Sequence, residues 1–104
     1  IATNFSGNTD FLSKETGFPV DYRLIATKAN QYPGGDGQKW ADPDIDHAAE
    51  LMRQVSDDSE KSRKIAAAGR REIESTYSAK VVGQRYRKRL ETLGLLSDVE
   101  RSRV

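Results

Sequence analysis

The residues with the best claim to chemistry stand at the start of the chain, where Ile1-Ala2-Thr3-Asn4 runs into Phe5-Ser6-Gly7-Asn8 and then Thr9-Asp10-Phe11-Leu12. Apolar, β-favouring residues, a Ser-Gly-Asn turn and a helix-compatible run predict a strand, a tight turn and the first turn of a helix. In open α/β sheets such a junction faces the ligand crevice, because N–H groups at a helix start and a glycine without Cβ suit an anionic phosphate. Asn4, Ser6, Gly7, Asn8 and Asp10 are therefore the candidate binding residues. The competing use of the same residues is a capped turn that holds no ligand, with Asp10 favouring the helix N-terminus by its charge.

Other groups are weaker candidates. His47 has no second histidine at metal spacing, and no cysteine exists to serve as nucleophile, zinc ligand or disulfide partner. No metal or cofactor is expected. Gly34-Gly35-Asp36-Gly37 lacks the Lys-Ser/Thr that a phosphate loop needs, and no strand leads directly into it. Tyr32 and Trp40 flank that glycine stretch, where they either stack on a base or sugar or pack against the core.

The elements that must position these groups follow from the pattern of the chain. Ile1–Asn4 reads as the end of a buried parallel strand, and the helix after it must stop by Gly17. Phe18–Ile25 reads as the next extended piece, with Pro19 confined to its start or to an edge. Residues 26–37 form a mobile glycine loop, and Gln38–Ala41 returns to pair with Asp21–Leu24. Asp42 then caps a first long helix with Pro43 at its first position, Asp44 and Asp46 in the first turn, and Ile45, Ala48, Ala49, Met52 and Val55 on the buried face. A second helix spans Ser59 to Ser75, and Gly69 within it suggests a close backbone approach. Ser78 caps a third helix whose seam is Val82, Tyr86, Leu90 and Leu93, ended by Gly94. Residues 95–104 have no clear period and read as a frayed tail, so the predicted domain is 1–94.

Composition narrows the classes. The chain has 104 residues, 36% hydrophobic and 32% charged, which gives one small domain with a thin core. A net charge of +1 argues against a dedicated nucleic-acid binder or a strong electrostatic membrane anchor. No apolar run reaches membrane-spanning length and no targeting signal is visible, so the cytoplasm is the default compartment. The charge is uneven, however: Lys80, Arg85, Arg87, Lys88 and Arg89 make the last helix basic. By helical geometry Lys80, Gln84, Arg87 and Glu91 face away from the seam while Arg85 and Arg89 flank it. That allows a second class of function, a small helical module binding nucleic acid, anionic lipid or an acidic partner.

Taken in order, several of these pieces resemble one family. Ile1-Ala2-Thr3-Asn4 with Ser6-Gly7-Asn8-Thr9-Asp10 is similar to the Val-Ile-Ala-Thr…Gly-Gly-x-x-Glu segment of the family 4 (group 1) retaining glycosyltransferases. Gly17-Phe18-Pro19-Val20 resembles the family's Gly-x-Leu-Val strand, Trp40-Ala41-Asp42-Pro43-Asp44 its acidic helix start, and Tyr77-Ser78 the Phe-Ser turn before its last helix. The resemblance implies an α/β chain that is the distal half of a Rossmann-like GT-B C-terminal domain, helix-rich, in an enzyme that transfers sugar from a nucleotide-sugar donor to an acceptor. It implies that the family's pair of spaced glutamates, which hold donor sugar and ribose, the basic phosphate-binding residues and the acceptor domain lie upstream of Ile1, so the isolated chain is inactive and holds no catalytic residue. It also implies peripheral membrane contact by the parent and leaves its oligomeric state open. Ser6 stands where the family has its first Gly, Asp10 where it has Glu, and the insertion at Ala26–Lys39 is longer than a minimal member carries.

Overall fold

The computed structural model describes residues 1–96. They form a mixed α/β chain of two small sheets and three α-helices, divided into two compact units, Ile1–Arg70 and Arg71–Val104. The frayed segment expected at 95–104 lies, beyond Leu96, outside the described residues.

In the first unit β1 (Ala2–Thr3) pairs in parallel with β2 (Pro19–Val20), Ala2 opposite Pro19 and Thr3 opposite Val20. Pro19 opens its strand, as a residue without an N–H must. The strand at the start of the chain is parallel, as its sequence suggests, but it is not buried: Ala2 and Thr3 are half-covered and Ile1 is exposed. With only two strands in this sheet, covering elements are too few to enclose both faces. The extended piece at 18–25 is two strands rather than one. After the single residue Asp21 the chain enters β3 (Tyr22–Ala26), which pairs antiparallel with β4 (Lys39–Pro43) in a separate sheet.

The glycine loop between β3 and β4 is tied at its neck. The backbone N–H of Thr27 donates to the Gln38 carbonyl at 3.0 Å, and its buried hydroxyl donates to the Gly35 carbonyl. Tyr32 and Trp40 pack on each other across the loop with ring centroids 6.0 Å apart, so both rings serve packing.

Asp42 and Pro43 do not start a helix. They complete β4 opposite Arg23 and Tyr22, and the Asp42 carboxylate meets the Arg23 guanidinium at 3.2 Å across the ladder. The cap of α1 (Ile45–Asp57) is Asp44, whose side chain accepts from the His47 N–H at 2.9 Å. Starting the helix later also changes its buried face. Leu51, only 8% exposed, packs with Val20 in the core, whereas Ile45 is 72% and Met52 60% exposed. Met52 is therefore not core filler; the face that meets β2 is turned by about one residue from the expected stripe.

α2 (Ser59–Glu72) follows Asp58, and the helix expected to reach Ser75 gives way to a π-helical turn at Ile73–Tyr77. A Cβ on Gly69 would press into the carbonyl oxygen of Thr16, so the close backbone approach is real. Thr16 belongs to the crossover between β1 and β2, where its hydroxyl donates to the Phe11 carbonyl at 2.8 Å. In that turn the Ser13 hydroxyl beside Glu15 holds the Glu15 carboxyl below the usual carboxylate range.

In the second unit Ser78 caps α3 (Ala79–Thr92), accepting from the Val81 N–H at 3.4 Å. Gly94, at φ +69°, ends it in a Schellman motif: Leu95 N–H donates to Leu90 and Gly94 N–H to Glu91.

Two glycines in helices give opposite expectations. Gly69→Ala should destabilise the chain by about 1–3 kcal/mol, since the new methyl meets backbone. Gly83→Ala in α3, where the added Cβ meets nothing, should stabilise by about 0.5–1 kcal/mol. Urea denaturation followed by circular dichroism checks both signs. Ser13→Ala should raise the Glu15 titration toward the ordinary value, read by NMR of the side-chain carboxyl.

Candidate functional site

The junction at the end of β1 is built by a short series of local hydrogen bonds. Asn4 continues the parallel ladder, donating its N–H to the Val20 carbonyl at 2.9 Å. Phe5 then closes a narrow turn, its N–H on the Thr3 carbonyl at 2.8 Å, and its ring lies 5.1 Å from that of Tyr22. From Ser6 to Asp10 the chain forms a 3-10 helix. The expected order, a turn at 6–8 and a helix from Thr9, is thus compressed, because the turn residues themselves are the helix.

Backbone conformation assigns the turn to an unexpected residue. Ser6 takes a left-handed φ of +56°, while Gly7 is not among the positive-φ residues and has open space where a Cβ would stand. A left-handed serine costs roughly 1–2 kcal/mol, and nearby bonds hold it there. Its carbonyl accepts the Thr9 hydroxyl at 2.7 Å, and two residues on Asn8 donates its carboxamide to the Thr3 carbonyl at 3.1 Å.

Of the five candidates, then, Asn4 spends its backbone donor on the ladder to Val20 and Asn8 its side-chain donor on Thr3, while Ser6 and Gly7 present an exposed edge. Asp10 is exposed at the far end of the 3-10 helix rather than in the first turn expected for it. All five lie in the one short segment 4–10 at the end of β1.

A group that sequence reasoning missed is the contact between Asp21 and the start of α1. The Asp21 N–H donates to His47 Nδ1 at 3.0 Å, its carbonyl accepts the Asp44 N–H at 2.8 Å, and its carboxylate is 3.3 Å from His47 Nδ1. The backbone N–H and the carboxylate of Asp21 thus both meet the same ring nitrogen of His47. Lys14, Gln54 and Lys61 line the same concavity of about 310 Å³ over Leu51 and Ile65. The sequence placed Asp44 in the first turn of a helix capped by Asp42, so neither its capping role nor its bond to Asp21 was foreseen. No cluster of three or more metal-ligating side chains occurs among the described residues.

No family model, no curated protein and no solved structure matches the chain.

If Ser6 is strained as its φ indicates, Ser6→Gly should raise stability by about 0.5–1 kcal/mol and Ser6→Val should lower it by at least about 1 kcal/mol. Asn8→Ala should cost about 1 kcal/mol through the lost bond to Thr3. Urea titrations of the four proteins, wild type included, give the order.

Proposed function

We propose that this chain is the distal, Rossmann-like part of the donor-binding domain of a family 4 (group 1) GT-B retaining glycosyltransferase, an enzyme that moves sugar from a nucleotide-sugar donor to an acceptor. The observation that carries the reading is the left-handed Ser6. The resemblance places the first of two glycines at this position, and left-handed backbone is the physical reason a family would keep glycine there.

Two further features agree with it. β1 and β2 are parallel and joined by a crossover, and ligands of open α/β sheets bind beyond the carboxyl ends of parallel strands, which is where Ser6 and Gly7 lie. Val20 and Leu51 are the buried apolar residues of the described chain, while Phe11, Leu24, Ile45 and Met52 remain exposed in the first unit, as expected of half a domain.

In this reading the chain contributes shape and backbone rather than catalytic groups. Donor phosphates need positive charge or N–H donors as the leaving group departs. Ser6 and Gly7 would offer backbone at the edge of the crevice, while Asn4 and Asn8 keep that backbone rigid. The spaced glutamates and the acceptor domain belong to the sequence preceding Ile1. The cytoplasm is the compartment proposed with this function.

The test is made on the protein extended upstream of Ile1 and on residues 1–104 alone. The extended protein should transfer sugar from a nucleotide sugar, and 1–104 should give no turnover. Gly7→Val should raise the donor KM of the extended protein tenfold or more while shifting the stability of 1–104 by less than about 0.5 kcal/mol, since the fold asks nothing of a side chain at 7. Turnover by 1–104, or an upstream sequence without the spaced glutamates, would overturn the assignment.

A further inference from the structure

Of the seam expected on the last helix Val82 is half-covered, while Tyr86, Leu90 and Leu93 stand in solvent. Ala79, Gly83, Tyr86, Leu90 and Leu93 recur at alternating spacings of four and three along α3, which puts them on one side of the helix. All five are exposed, Tyr86 by 69% and Leu93 by 51%. Gly83, Tyr86 and Leu90 also line an open concavity of about 780 Å³ on this side.

The charge of this helix is mostly positive. α3 carries five cations against a single carboxylate, Glu91, although the whole chain is only +1. Arg85 and Arg89 edge the seam on one side; Lys80 and Arg87 edge it on the other. Arg87 lies half-covered and paired with Glu91 at 3.2 Å, contrary to the expectation that it points away into solvent. Arg85 and Arg89 thus charge one margin of the apolar strip, and Lys80 the other, where Glu91 offsets Arg87.

We infer that α3 is a docking surface for an anionic lipid bilayer, lying in the interface with Tyr86, Leu90 and Leu93 in the headgroup and acyl boundary and the flanking arginines on lipid phosphates. This goes beyond the sugar-transfer reading and does not depend on it. Charge complementarity selects the occupant. A second copy of the chain would bring five cations against five, and two heptads are too short a seam for a coiled coil. A nucleic-acid backbone would satisfy the cations yet leave the central apolar strip wet. A bilayer surface satisfies both at once, because cationic side chains reach headgroup phosphates with their stems along the apolar boundary. At 14 residues the helix is about 21 Å long, too short to cross, and no described helix is long and apolar enough to do so.

The experiment is co-sedimentation of residues 1–104 with vesicles of phosphatidylcholine containing phosphatidylglycerol, and with phosphatidylcholine alone, at low and high salt. The expected result is binding to the anionic vesicles only, weakening as salt rises. Arg85→Gln with Arg89→Gln should reduce partitioning roughly ten- to thirtyfold. Tyr86→Ser with Leu93→Ser, both exposed positions, should reduce it at least tenfold with the circular dichroism spectrum unchanged. Failure to bind anionic vesicles, equal binding to neutral ones, or unaltered partitioning of the serine pair would overturn the inference. So would tighter, salt-sensitive binding to RNA or to an acidic peptide than to vesicles, or self-association that buries Tyr86.

Discussion

Asp21 is the single residue through which the parallel sheet becomes the antiparallel hairpin, and its backbone is held on both sides by the first turn of α1. One group donates to the His47 ring and the other accepts from Asp44, while Asp44 caps the helix through the His47 N–H. The three residues form a closed set in which each bond orients the next. A turn, a helix start and the break between two sheets are thereby settled together. Without this anchor the hairpin would hang from a two-residue strand, and short isolated hairpins are marginal in water.

Such local ties matter more than usual because the apolar core is small. Val20 and Leu51 are its buried members, and Thr27 is a buried polar residue whose hydroxyl bonds the loop it closes. A core of this size contributes little beyond the conformational entropy it must offset. The first unit compensates by locking backbone to backbone: Gly69 against Thr16, Asn4 against Val20 and Asp44 against Asp21. The second unit has α3 with no buried residue at all, so its order rests on the Ser78 cap, the Gly94 ending and contacts with the preceding π-helical turn.

What could be seen in the sequence was what local chemistry decides. Ser78 and Gly94 end α3 because a hydroxyl acceptor and a left-handed glycine satisfy orphan groups whatever lies around them. Gly69 announced a close approach, and the glycine stretch announced a hairpin loop, although not the Thr27 hydroxyl that ties it. What could not be seen was decided by partners distant in sequence. Asp42-Pro43 is a good helix start in isolation, but the ladder to Tyr22 and Arg23 claims both residues first. Once α1 begins two residues later, the choice between Met52 and Leu51 for the core follows from where β2 lies, which periodicity alone does not specify. His47 was legible only as a lone histidine, since its partner is a backbone N–H 26 positions away.

The candidate site shows the same division at closer range. The sequence marked the segment, and the backbone reassigned the burden within it from Gly7 to Ser6. A serine forced into the left-handed region is costly, and a plain surface turn has an easy escape, since the adjacent glycine could take that conformation at no steric cost. The chain does not shift the bend by one residue, because Asn4 must stay in register with Val20 and Asn8 must reach back to Thr3. Those two bonds bracket residues 5–7, and Ser6, the first residue of the 3-10 helix, takes the left-handed conformation. Gly7 is thereby released from conformational duty and left exposed, without a packing reason for its missing side chain.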